Sequence, residues 1–224
     1  MYYVVCVVSM NVRKLAFCFS MIVSGLDVRS SETNRIAAEA AEKVATDPVA
    51  VMNALGKEAL DAVNNNPKQE DVIRIFSDII DRFFSLRSMA KFIFNTNYRR
   101  MNAAQKNTAT NCLKKMMADQ YSARFSDFKG ASLKVVGVKK TSDTHCFVKA
   151  KLATKKAEYN LSCSMFLVDG SWKVFDVIVD DTSMSKLMRA GIDGSIKKDG
   201  LHRFLNSFEH KYANPVEKSA VKAT

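Results

Sequence analysis

The spacing of apolar residues along this chain changes period once, near Lys129. Before that point the pattern is helical. Two short helices are expected at residues 34–45 and 48–63, the second with Asp47 as N-cap and Pro48 at its first position. Asn64-Asn65-Asn66-Pro67 breaks the chain, and Asn66 with Gln69 three residues later predicts the start of a third helix. Its stripe Val72, Ile75, Phe76, Ile79, Ile80 and Phe83 has the 3–4 spacing of a buried face. Residues 85–94 carry Leu86, Met89, Phe92 and Ile93 at the same spacing. Asn102 and Gln105 then form a capping signature for a long helix reaching about Phe125.

Beyond Lys129 the period is two. Strands are expected at 133–139, 146–152, 159–168 and 172–180, joined by short polar turns as an antiparallel meander. On the third, Tyr159, Leu161, Cys163, Met165 and Leu167 share one face, opposite Asn160, Ser162 and Ser164. Asp169-Gly170 predicts a tight hairpin into the last strand, where Phe175, Val177 and Val179 alternate with their neighbours. Thr182 or Ser183 then caps a helix bearing Met184, Leu187, Met188 and Ile192. Helices at 183–198 and 199–210 close the chain before a charged tail. The fold class is α+β: a four-stranded antiparallel sheet packed by helices, with an N-terminal helical extension. The expected organisation is a leader at 1–26, a single domain at 32–212 and a flexible tail at 213–224.

Charge adds a partner class. Lys and Arg number 34 against 23 Asp and Glu, a net charge of +11, which suits an acidic partner or an anionic membrane surface. The basic residues are scattered in short groups such as Arg99-Arg100 and Lys139-Lys140, so nucleic acid is not the expected partner. From Met10, a basic Asn-Val-Arg-Lys precedes a 12-residue apolar stretch, Leu15 to Leu26, with small residues Ser24 and Gly25 near its end. That is the pattern of an export signal. The rival is an uncleaved anchor over residues 2–26, which would place Arg13 and Lys14 mid-membrane at roughly 2.5–3.5 kcal/mol each. Beyond the leader stand three cysteines, Cys112, Cys146 and Cys163, without paired spacing. They are read as buried thiols, with Cys146 and Cys163 on neighbouring strands.

Catalytic signals are sparse. His202 and His210 lie over two helical turns apart, roughly 12 Å, too far to share a metal ion. No zinc-protease motif, paired Cys-x-x-Cys, phosphate-cradling loop or nucleophile elbow occurs. Asp176 lies between apolar neighbours, either as an acid in a cavity or on the solvent side of the sheet. Asp180-Asp181 reads as a strand-end cluster. More informative are the 11 methionines and 14 phenylalanines. They fill either an ordinary core or the wall of a cavity for an apolar ligand.

Two segments resemble the MlaC family, also known as the toluene-tolerance auxiliary components of ABC transporters. The first runs from Arg82-Phe-Phe-Ser through Met89-Ala90 and Asn95-Thr-Asn-Tyr98 to Asn102-Ala-Ala-Gln105. The second is Gly170-Ser-Trp172-Lys-Val-Phe175-Asp176 through Asp181-Thr182-Ser183-Met184. The resemblance spans about residues 70–210. Ser85 stands where the family has Asp, Asn95 and Asp181 where it has Gly, and Thr182 where it has an apolar residue near its pocket.

The resemblance implies an NTF2-like fold and a periplasmic phospholipid carrier rather than an enzyme, with no cofactor and with phospholipid as cargo. It also implies exchange with an outer-membrane lipoprotein and an inner-membrane ABC transporter complex that maintain lipid asymmetry, with transient contact at membrane surfaces. The expected lipid-binding wall is Leu161, Cys163, Met165, Phe175, Val177 and Val179 from the strands. Thr182, Met184 and Leu187 from the helix after them, and Phe83 and Phe92 from the helical side, complete it. The alternatives are an NTF2-like enzyme using Asp176 in the same cavity, or a structural envelope adaptor.

Overall fold

The computed structural model describes residues 45–65, 68–123 and 125–213. The expected leader at 1–26, residues 34–44 of the first expected helix and residues 214–224 of the expected tail lie outside them. Helix α1 (Pro48–Asn65) starts as its sequence predicts: the Asp47 carboxylate accepts from the Val49 amide at 3.0 Å. Helix α2 (Gln69–Phe83) has Lys68 at its cap position with no side-chain hydrogen bond, and Asn66, expected as its cap, lies outside the described residues. Helix α3 (Leu86–Arg100) is longer than its stripe suggests because the chain re-enters helix beyond Asn95. Helix α4 (Ala103–Ser122) begins with the expected reciprocal capping box of Asn102 and Gln105. It ends before Phe125, and a 3-10 turn takes up Phe125–Phe128.

The kink in α3 has a single cause. Asn95 sits at φ 48°, ψ −123°, a backbone region that glycine enters freely and other residues enter at a cost of about 1–3 kcal/mol. Gly is also the residue that the resemblance noted above implies at this position. Asn95→Gly should therefore raise stability by about 1 kcal/mol, the relief of strain exceeding glycine's extra unfolded-state entropy. A urea titration would show a higher midpoint at unchanged slope; a lower midpoint would mean that the Asn95 side chain holds the kink.

Strands β1 (Ser132–Ser142), β2 (His145–Ala153), β3 (Glu158–Val168) and β4 (Ser171–Val179) form the expected meander. A two-residue strand, β5 (Thr182–Ser183), adds a fifth to the four predicted, and the spatial order is β1-β2-β3-β4-β5. Both turns flanking β4 are made by residues at positive φ. Asp169 and Gly170 (50° and 77°) join β3 to β4, and Asp180 and Asp181 (45° and 64°) join β4 to β5. Two-residue hairpins of the I′ kind need that geometry, and Asp tolerates it better than most side chains. Helices α5 (Met184–Asp199) and α6 (Leu201–Ala213) complete the chain.

One face of the sheet meets the helices. Cys146, Val148 and Ala150 of β2, Cys163 and Met165 of β3, and Trp172 and Val174 of β4 are buried there. They join one core with Ile79, Ile80, Ile93, Phe94, Leu113 and Met117 from the helices. At Gly56 of α1 a Cβ would stand 3.0 Å from Leu133 of β1, so this glycine lets the helix lie close on the sheet. No helix among the described residues is long and apolar enough to cross a membrane.

Candidate functional site

The site is shaped by an irregularity in β4. Ser164 pairs with Asp176 but Met165 pairs with Val174, which leaves Phe175 as the extra residue of a β-bulge. The bulge shifts the strand's parity. Trp172 and Val174 share the core side with Val177 and Val179, because their partners Leu167, Met165, Cys163 and Leu161 all lie on one face of β3. The expected alternation of Phe175 with Val177 thus breaks, and Val174 occupies the fully buried position (0% exposed). Phe175 instead turns its ring to Phe166 on the outer face (5.3 Å) and to Phe92 of α3 (5.5 Å), edge to face in both cases.

These three rings line a cleft of about 340 Å³, completed by Ser88 and Lys91 of α3. Arg189 of α5 lies over the Phe92 ring with its guanidinium carbon 5.2 Å from the centroid. The floor is apolar and the rim cationic. Phe92 and Phe175 also pack on the main core, so floor and core are continuous. A second, polar cavity of about 520 Å³, lined by Arg100, Gln105, Asp199, His202 and Arg203 among others, contains none of the expected site residues.

The remaining expected residues do not line the cleft. Phe83, Cys163 and Met165 are buried in the core, while Leu161, Val177, Val179 and Met184 are half-buried. Thr182 is exposed in the β4–β5 hairpin, and Leu187 is 57% exposed on α5. The sequence reading missed Phe166, Ser88, Lys91 and Arg189. Phe166 carried a usable signal, being the large aromatic on a strand face otherwise made of Asn160, Ser162 and Ser164. The others became visible only once the bulge had turned Phe175 toward α3.

Asp176 lies on the outer side of β4, opposite Ser164, but it is covered there and does not line the cleft. Only 7% exposed, its carboxylate accepts from the Ser183 hydroxyl at 2.6 Å and from the Ser185 amide at 2.9 Å. The Ser183 hydroxyl in turn accepts from the Lys186 amide at 3.1 Å. The acid is a clasp for the first turn of α5, where a negative charge is favoured, and both its oxygens are engaged. Cys112, Cys146 and Cys163 are buried free thiols, as expected. Cys146 faces Met165 and Val148 faces Cys163, so the two cysteines are diagonal neighbours. Burial pushes the Cys163 thiol up to about 12 and the Cys112 thiol up to about 11, so neither supplies a thiolate at neutral pH. Among the described residues no three His, Cys, Asp or Glu side chains are grouped to hold a metal ion.

An α+β protein with an antiparallel meander under a helical layer, and an apolar cleft with a cationic rim at their border, is therefore the class that fold and site define. The MlaC protein family model matches residues 53–210, and the chain belongs to that family. The resemblance of residues 70–210 is thereby borne out. A solved structure of the phospholipid-binding protein from Ralstonia solanacearum, in complex with a phospholipid, is similar at a TM-score of 0.65. It is 14% identical, and the match covers 74% of this chain and 98% of that one. At that identity the likeness is one of fold. No curated protein sequence matches the chain.

Proposed function

We propose that this protein is a periplasmic phospholipid carrier that shuttles lipid between the outer and inner membranes. Its partners in that reading are an outer-membrane lipoprotein and an inner-membrane ABC transporter complex, in a system that maintains outer-membrane lipid asymmetry. The observation that carries the reading is the cleft. Phe92, Phe166 and Phe175 offer an apolar floor, and Lys91 and Arg189 stand beside it. That is the polarity of a phospholipid, with acyl chains against the rings and phosphate against the cations. Family membership and the phospholipid held by the Ralstonia protein support it.

The energetics of carriage need no reaction. At ~0.8 kcal/mol per methylene, a 16-carbon tail loses on the order of 10 kcal/mol when left in water. A cleft of about 340 Å³ is near the lower end of ligand pockets, about 300–1,000 Å³. Whole tails therefore require α3 to part from the sheet, so that the chains run from Phe92 and Phe175 along Leu161, Cys163, Met165, Val177, Val179 and Met184. Adaptable Met side chains suit such a filling and emptying wall. An acid–base enzyme is the less supported reading, because its one acid, Asp176, is committed to the start of α5.

Solvent extraction of gently purified protein, followed by mass spectrometry, tests the proposal. The expected result is phospholipid at close to one molecule per protein. Protein from a membrane-bearing host that carries well under one lipid per several chains, and takes up none from detergent micelles, would overturn it.

A further inference from the structure

The outer face of the meander is open over β1 and β2 and at Phe166 of β3, and its composition is one-sided. Register places Lys134 directly opposite Lys151, Gly137 opposite Lys149, and Lys139 opposite Phe147, all on the face away from the core. The four lysines are exposed. The one carboxylate that register adds to this face of the three strands is Glu158, which bonds Lys151 at 2.7 Å. Like charges directly across an antiparallel pair are destabilising, so the fold gains nothing from Lys134 facing Lys151.

Between these lysines and the cleft runs a line of rings. Phe147 meets His145 at 5.0 Å, His145 stacks on Phe166 at 4.3 Å, and Phe166 meets Phe175 at the cleft floor at 5.3 Å. Phe166 is 36% exposed. Half-exposed aromatic rings among lysines match the boundary of a bilayer, where rings sit at headgroup depth and lysines meet anionic phosphate. A polar protein partner would not call for an unbroken ring path into the cleft.

We infer that the outer face of β1–β3 docks on an anionic phospholipid bilayer and sets the cleft mouth against it. The inference rests on the carrier reading above and adds the surface by which cargo is met. Docking is electrostatic and shallow, so it falls with ionic strength, and the ring line leads a lipid from the headgroup layer to Phe175 and Phe92.

The test is co-sedimentation with vesicles of phosphatidylglycerol and phosphatidylethanolamine, and with vesicles of phosphatidylcholine alone. Wild type should bind the anionic vesicles and not the zwitterionic ones. Replacing Lys134, Lys149 and Lys151 together by glutamate should weaken anionic binding by roughly 100-fold or more, from the contribution of each lysine near such a surface. A control with the same charge change, Lys197, Lys198 and Arg203 to glutamate, should keep most of it. Equal loss in both triple variants would mean net charge alone drives binding and would overturn the assignment, as would wild-type protein that ignores anionic vesicles. Lipid uptake from detergent micelles, where no bilayer is present, separates the two ideas. The sheet-face variant should load like wild type, whereas a failure of every variant to load would count against the carrier reading and not against the docking face.

Discussion

Asp176→Ala is expected to lower stability by about 3–5 kcal/mol, because two hydrogen bonds to a buried carboxylate are lost at once and hydrogen bonds to charged groups are worth about 1.5–3 kcal/mol each. The Ser185 amide is buried and loses its acceptor, while the Ser183 hydroxyl loses the partner that orients it to cap the Lys186 amide. Helix α5 would then lack a fixed start, and with it the position of Arg189 over Phe92. Asp176→Asn keeps one acceptor and should cost less than half as much. Chemical denaturation of both variants against wild type decides the matter. A loss below 1 kcal/mol for Asp176→Ala would show that the clasp is dispensable.

The acid illustrates how legible this chain is from its sequence. Strand periodicity places Asp176 opposite Phe175 and Val177, and by that count it belongs to water. Register keeps it on that outer side, opposite Ser164. What buries it is the short β5 strand, which brings Ser183 and the first turn of α5 over the carboxylate; the bulge shifts Val174 and Phe175 instead. A bulge leaves no fixed mark in one sequence, since it depends on which strand partner each amide finds. Signals that rest on local backbone chemistry were fully readable: the Asn102–Gln105 box, Asp47 before Pro48, and Asp169-Gly170 in the hairpin. The core face of β3 was readable as well, because Leu161, Cys163, Met165 and Leu167 alternate with Ser162, Ser164 and a single apolar exception, Phe166. What periodicity cannot supply is a meeting between distant elements. Phe92 and Phe175 were each picked out as apolar, but nothing in their spacing says that α3 would bring one against the other, or that Phe166 would join them from the outer face.

Val177→Glu should reduce co-purifying phospholipid from near-stoichiometric to undetectable while leaving a folded protein destabilised by about 2–3 kcal/mol. Val177 lies opposite Cys163 on the core side of β4, half-buried and packed on the core beyond the cleft. In the proposed path an acyl chain would pass it, and a carboxylate desolvated against hydrocarbon costs several kcal/mol. That cost falls on the loaded form, because in the empty protein the same side chain can swing toward water. Met165 is a worse place for the charge, being 0% exposed between Cys146 and Val174, so glutamate there would test the fold before it tested the cargo. Ser162→Glu is the matched control. Ser162 faces Lys149 on the outer side of the sheet, where a carboxylate gains an opposite charge and meets no acyl chain, so lipid should stay at the wild-type level. Mass spectrometry of lipid extracts from the three proteins, with circular dichroism to confirm folding, reads out both effects. Full lipid occupancy in Val177→Glu, or its loss in Ser162→Glu, would place the tails on the other face of the sheet and exclude the core-side path.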